Sequence, residues 1–206
     1  MQKEVVSILK ENNKRNADVY QWFDPISGIG SIGKRTEVHI DDFPLETQYL
    51  PVEMLNLPLV KLLMKYGSIK HFLTIELAVE YSEEDRLKVI EQFVRLRCRY
   101  DFAFWAAMYV YIKNKGGGDD VLFRLTRPQR KFVERLEALR KANKPIRIVL
   151  LKARQWGGST TSQLYMAWLQ LIHKVGLNSL IIAHQGAGSD EIKDMFDRMI
   201  PYIYAL

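Results

Sequence analysis

The spacing of apolar residues predicts that the first part of the chain is mainly helical. Residues 52–66 and 68–81 have the pattern of short helices, and a longer helix is predicted to begin after Ser82, with Asp85 completing its cap. The apolar stripe of that longer helix consists of Leu87, Ile90, Val94, Cys98, Phe102, Trp105, Tyr109 and Ile112. Because these residues recur every three or four positions, we expect them in the core rather than stacked on nucleic-acid bases.

The second part of the chain alternates between strand and helix patterns. Thr126 and Gln129 have the spacing of a capping box, which predicts a helix from there to about residue 143, where Pro145 follows. The further predicted elements are a buried parallel strand at 146–151 (IRIVLL), a helix from Ser159 to about 174, a strand at 180–183 (LIIA) and a helix from Ser189. This order is that of a βαβ unit in an α/β domain.

A run of three glycines within residues 113–120 (KNKGGGDD) separates the two patterns. Consecutive glycines favour a flexible connection or a tight turn. We therefore predict two regions, a mainly helical N-terminal region at 1–115 and a partial α/β domain at 121–206.

Composition excludes several classes of protein. The 206 residues are 48% hydrophobic and 26% charged, as in ordinary globular chains. No apolar run reaches the roughly 18 residues of a membrane span, and the first residues lack the apolar core of a signal peptide, so we expect a cytoplasmic protein with no membrane partner. The single cysteine, Cys98, excludes an internal disulfide and a zinc site built on paired cysteines.

Positive charge is concentrated in residues 127–154. This segment has ten basic residues and two acids, a formal charge of +8, whereas the whole chain carries +6. Such a concentration is expected where phosphates are bound, although a solvated helix face rich in Lys and Arg would have the same composition.

Two glycine-rich segments resemble phosphate-binding loops. In the first, four residues separate Gly28 from Gly33 and Lys34 follows, which matches the Walker A spacing. The motif needs a strand before it and a helix after it, but here WFDPIS precedes and TEVHIDDFP follows. A mobile surface turn is therefore the favoured interpretation of the first loop.

The second segment, residues 152–160 (KARQWGGST), lies between the predicted strand and helix, as a phosphate loop should. If Gly157 is the last loop glycine, Ser159 occupies the position that binds Mg²⁺, and Gly158 stands where lysine is expected. Another cation must then face the nucleotide phosphates, and Lys152 and Arg154 are the candidates.

The remaining candidate ligands of ATP are a glutamine upstream and the other loop residues. The amide of Gln129 suits the adenine edge, although capping alone would also explain this residue. The full candidate set for ATP is Gln129, Lys152, Arg154, Gln155, Gly157, Gly158, Ser159 and Thr160, with Lys152 and Arg154 also the catalytic candidates. The alternative is a strand-to-helix turn with incidental basic residues.

On these residues the chain resembles the N-terminal ATPase region of bacteriophage terminase large subunits, the motors that package viral DNA. The resemblance rests on KARQWGGST, on LTRPQRKF around Gln129 and on NSLIIAH, and it covers residues 122–204. It implies a P-loop NTPase fold with a parallel sheet, and ATP hydrolysis with Mg²⁺ that drives double-stranded DNA into a procapsid. It also implies a homo-oligomeric ring, the portal protein and the small terminase subunit as partners, and a nuclease domain in the full-length protein.

The sequence departs from that family in two respects. No apolar run after Ser159 ends in the Asp-Glu pair of a Walker B motif, and no nuclease region is present. We therefore expect a fragment of a longer ATPase that, by itself, is inactive in hydrolysis. The alternatives are a superfamily-2 helicase-like translocase and a non-catalytic nucleic-acid-binding scaffold with a degenerate loop.

Overall fold

The computed structural model describes residues 5–7, 10, 22–114, 116–151, 156–173, 176–180, 182, 190, 193–194 and 197. The first sheet within these residues is an antiparallel hairpin. Strand β1 is Arg35–His39 and β2 is Thr47–Pro51, with Val38 opposite Gln48. The sequence analysis assigned no strands here. Alternation places Val38 and Leu50 in the core, which is the signal that could have predicted the hairpin.

Helical segments follow the hairpin, as predicted, but the second one ends at Glu76 and not at 81. A 3₁₀ turn at Val52–Asn56 leads into α1 (Pro58–Tyr66), and α2 (Ile69–His71) continues as a wide turn at Phe72–Glu76. The side chain of Ser82 accepts a hydrogen bond from the backbone N–H of Asp85 (3.1 Å), which confirms the predicted cap of α3, Glu83–Tyr100.

The prediction of one continuous helix through Ile112 is wrong in its last part, because the helix ends at Tyr100 and Asp101 begins a new one. The Asp101 carboxylate accepts the N–H of Phe104 (3.2 Å) and so caps a second helix, α4, at Phe102–Tyr109. Within that helix the aromatic side chains Phe102, Phe104 and Trp105 are buried, which confirms that they belong to the core.

The glycine tract lies in the turn of a small antiparallel hairpin. Its strands are β3, Tyr111–Ile112, and β4, Val121–Leu122. Gly117 and Gly118 have φ near +82° and +86°, a conformation that favours glycine. The division of the chain at 115 and 121 remains a prediction.

Two longer helices follow this small hairpin. Helix α5 is Arg127–Lys141 and begins at the predicted capping box, and α6 is Gly158–Trp168, continued by a wide turn at Leu169–His173. Both predicted helices are thus confirmed, α6 beginning one residue earlier than expected. Ser189 lies outside the described residues.

The predicted strand at 146–151 is wrong. The segment has no ladder partner, and the side chains of Val149 and Leu151 are 101% and 100% exposed. A buried parallel strand requires neighbouring strands to pair its backbone, and the described part of the chain supplies none. Leu180 and Ile182 are likewise exposed and outside any strand, while the rest of 180–183 lies outside the description. The fold is therefore mixed α/β with two small antiparallel sheets and, among the described residues, no parallel sheet.

Two apolar clusters form the core. One joins α4, α5 and α6 around Trp105, Leu164 and Trp168, none of which is exposed. The other packs the β1–β2 hairpin against α1, α2 and α3. None of the helices in the described residues has the length and apolar character to cross a membrane.

Candidate functional site

The start of α6 presents free backbone donors. Gly157 precedes the helix with φ +81° and ψ +22°, a left-handed conformation that suits glycine, and no side chain caps the helix. The N–H groups of the first turn, at 158–160, have no intrahelical acceptor, and no acidic residue lies in that turn. Together with the positive end of the helix dipole, these donors favour an anion.

Gln129 connects α5 to this glycine turn. Its Nε2 donates to the carbonyl oxygens of Trp156 (3.2 Å) and Gly157 (3.3 Å), while its Oε1 accepts the N–H of Thr126 (2.8 Å). The side chain is 4% exposed, and a Cβ on Gly157 would run into Nε2. The side-chain amide of Gln129 thus bonds both the helix cap at Thr126 and the glycine turn. The bonds to the turn were not predicted from the sequence.

Trp156 lies over the beginning of α6. Its ring meets the ring of Phe132 edge to face, with centroids 6.0 Å apart. A Cβ on Gly158 would lie 2.8 Å from the indole Cζ2 and 3.0 Å from Nε1, so the indole occupies the space that any larger residue at 158 would need. Sequence reasoning treated Trp156 only as a loop residue, and no sequence signal marked its contact with Gly158.

The other predicted ligands divide between described and undescribed residues. Ser159 is exposed on the first turn of α6 and Thr160 is half-buried beside it. Lys152, Arg154 and Gln155 lie outside the described residues. The structure therefore brings Gln129 together with 156–158, and the two candidate cations remain predictions.

The first glycine loop is packed against other parts of the fold, and it leads into a strand. The N–H of Tyr49 donates to the Ser27 carbonyl (2.7 Å), and Nη1 of Arg130 donates to the Gly30 carbonyl (2.8 Å). Lys34 is exposed, and β1 begins at the next residue, so no helix N-terminus faces this loop. This agrees with the expectation that the loop lacks the geometry of a phosphate site.

A cavity of about 330 Å³ lies between the first glycine loop, the α3–α4 junction and α5. At its wall the buried Asp101 carboxylate binds Arg35 through two contacts (2.6 and 2.9 Å) and Arg97 through one (3.4 Å). Burial alone would raise the pKa of Asp101, but the two guanidinium groups outweigh it and hold the pKa below its usual value.

On the same side of α5, Glu137 joins the helix to α6. Its carboxylate accepts hydrogen bonds from the Tyr165 hydroxyl (2.6 Å) and from Nε and Nη2 of Arg140 (2.7 Å each). Burial, and then the hydrogen bond to Glu137, raise the pKa of Tyr165. These contacts between α5 and α6 hold the two helices that carry Gln129 and the glycine turn.

Part of the basic segment is used inside the fold. Arg130 is buried, Arg140 is bound to Glu137, and Lys141 forms an ion pair with Glu53 (2.8 Å). Lys141 is itself exposed, and the other basic side chains of the segment that are described as exposed are Lys131, Arg135, Lys144 and Arg147. Lys131 and Arg135 are four residues apart on α5 and therefore share one face of it.

One group of possible metal ligands occurs within the described part of the chain. Ligand atoms of His39, Asp41 and Glu46 lie within 4.8 Å of one another, and all three residues are exposed. His39 already contacts Asp41 (3.0 Å) and Thr47 (2.9 Å), contacts that suffice to explain the arrangement.

Comparison with known proteins gives no match: no family model, no curated protein and no solved structure is similar to this chain.

Proposed function

We propose that this chain binds MgATP, with the phosphates at the glycine turn that precedes α6. The support is the set of free amides at 158–160, the left-handed glycine before them and the absence of acidic residues in the first turn. The proposed class is a nucleotide-binding protein of the phosphate-loop type. The exposed hydroxyl of Ser159 is suited to Mg²⁺, whose other ligands would be phosphate oxygens and water.

The contact between Gln129 and the glycine turn carries the proposal. The resemblance to terminases rests on three segments, and two of them are in contact. Nε2 of Gln129, in LTRPQRKF, donates to the carbonyls of Trp156 and Gly157 in KARQWGGST, 27 and 28 residues further along the chain. An isolated turn with incidental basic residues gives no reason for a buried glutamine to bind it.

More specifically, we propose that the chain is the ATP-binding part of a DNA-packaging motor of the terminase large-subunit type. In that motor, ATP hydrolysis moves double-stranded DNA, and the portal protein, the small terminase subunit and further copies of the motor are the partners. Lys152 and Arg154 would neutralise the phosphates, and Gln155 and Thr160 would complete the loop. Gln129 is the candidate for adenine, and since its amide is buried and bonded to the turn in the free chain, contact with adenine requires those hydrogen bonds to be exchanged.

Calorimetric titration with MgATP tests the site. We expect wild type to bind and Lys152→Ala to lose binding, while Lys34→Ala, the matched change in the other glycine loop, binds as wild type does. The absence of binding by wild type would refute the proposal. If Lys34→Ala loses MgATP binding and Lys152→Ala retains it, the nucleotide binds at the first glycine loop, and the proposed site is refuted.

Substitution of Gln129 by glutamate separates adenine recognition from support of the loop. Glutamate keeps an oxygen for the N–H of Thr126 but has no NH₂ group for the Trp156 and Gly157 carbonyls. If Gln129 reads adenine, Gln129→Glu should reduce the preference for MgATP over MgGTP. An equal loss for both nucleotides would leave only the supporting role.

The exposed basic face of α5 is proposed to contact DNA phosphates. Replacing both Lys131 and Arg135 with alanine should reduce the slope of log K against log salt, measured on a short duplex, by about 2. Lys61→Ala on α1, which is also exposed, should leave the slope unchanged. Salt-dependent DNA binding without any MgATP binding would favour the scaffold alternative over the motor.

A further inference from the structure

The indole of Trp156 contains a buried donor without a partner at the start of α6. Its Nε1 atom is buried and makes no hydrogen bond to any residue that the structure describes. The ring edge that carries Nε1 faces Gly158, because a Cβ there would lie 3.0 Å from this atom. The indole N–H therefore lies beside the same helical turn whose backbone amides are free.

An unsatisfied buried N–H is unfavourable and calls for an explanation. Buried donors in proteins are nearly always paired, and the exceptions often mark a site for a water, an ion or a ligand. The indole of Trp168, by comparison, donates to the Cys98 carbonyl (2.7 Å). Among the described residues Trp105 has an unpaired Nε1 too, but it lies in the apolar core, and no contact between it and the glycine turn is described.

We propose that the indole N–H of Trp156 is a hydrogen-bond donor to the nucleotide phosphates, and that it positions them on the first turn of α6. This inference rests on the proposed function. It adds a residue that stands outside the phosphate-loop pattern, and it explains the glycine at 158, since the indole needs the space of a side chain there. Atoms that cover Nε1 must move when the anion binds.

The test compares two conservative variants in titrations with MgATP and with magnesium tripolyphosphate. Trp156→Phe keeps an aromatic ring against Phe132 and removes the N–H, so we expect affinity for both ligands to fall about tenfold, the effect of losing a hydrogen bond to a charged group. Trp105→Phe, which removes the other unpaired N–H from the core, should bind both ligands as wild type does.

Stability without ligand provides a second measurement. Because the Trp156 N–H has no partner in the free protein, Trp156→Phe should melt within about 4 °C of wild type. Trp105→Phe removes the same ring atoms and an N–H that is also unpaired, so a loss clearly greater than that of Trp105→Phe would show that the Trp156 N–H is bonded within the folded chain, and it would overturn the inference.

The outcomes separate this inference from the proposed function. If wild type binds neither ligand, the proposed function fails and the inference fails with it. If wild type binds and Trp156→Phe binds equally well, only the inference is refuted. A loss for MgATP but not for tripolyphosphate would place the indole against the nucleoside and would also overturn it.

Discussion

Replacing Asp101 with asparagine should destabilise the fold strongly. The carboxylate is fully buried between Arg35 and Arg97, whose side chains are 11% and 1% exposed. Asparagine keeps an oxygen for the N–H of Phe104, so the cap of α4 remains while the negative charge is lost. The change therefore isolates the ion pairs from the cap.

The expected magnitude follows from the burial of the partners. Removing one partner of a buried ion pair costs about 3–5 kcal/mol, because the remaining charge is left uncompensated. For a chain of this size that corresponds to a fall of about 6–20 °C in melting temperature. Asp101→Ala should lose about 1 kcal/mol more, the value of a helix cap.

The pH dependence has a definite sign. The folded pKa of Asp101 lies below its usual value, so the carboxylate stabilises the fold fully above the unfolded pKa, about 3.9. This stability is lost as the pH falls through the folded pKa. Wild type should therefore lose more stability on acidification than Asp101→Asn does.

Urea denaturation at pH 7 and at acid pH measures both effects, with the exposed Asp119→Asn as control. We expect Asp119→Asn to match wild type. If Asp101→Asn unfolds within about 1 kcal/mol of wild type, or shows the same acid dependence, the buried network does not hold the α3–α4 junction as argued.

Three further predictions concern α6 and the core. Gly157→Ala should weaken MgATP binding and lower the melting temperature, because the left-handed backbone and the nearby Gln129 leave no room for a methyl group; equal behaviour in both titration and melting would contradict this. Tyr165→Phe should lower the free energy of unfolding, measured by urea denaturation, by about 1 kcal/mol, because Glu137 loses the hydroxyl donor but keeps its contacts with Arg140. An unchanged free energy of unfolding would show that this hydrogen bond does not stabilise the fold. Cys98 is buried with its pKa raised by burial to about 12, so a thiol reagent at pH 8 should label it only after unfolding, and rapid labelling of the native protein would refute its burial.

Local signals predicted helices well, whereas pairings between distant residues were invisible. The caps at Ser82 and Thr126 depend on residues three positions away, and the helices after them begin where expected, although the one after Ser82 ends at Tyr100. The contact of Arg35 with Asp101 spans 66 residues, and no spacing rule announces it. An apolar run has the same appearance whether its backbone is paired or not, so the pattern at 146–151 could not reveal that none of the described strands pairs with it.

For the site, the sequence supplied the residues but not their arrangement. The capping role of Gln129 followed from its distance to Thr126. Its two donors to the turn at 156–157 depend on how α5 packs beside α6, which only tertiary structure defines. The position of Trp156 over Gly158 is a consequence of the same packing.

The exposed segment at 146–151 has a practical consequence for handling this protein. Val149 and Leu151 are fully accessible, and the segment is rich in β-branched residues with a single charge at Arg147. Exposed, unpaired apolar segments of this kind pair with the same segment of other molecules and form intermolecular β-sheets. Concentrated samples should therefore precipitate sooner than dilute ones, and replacing Val149 with lysine should extend their shelf life.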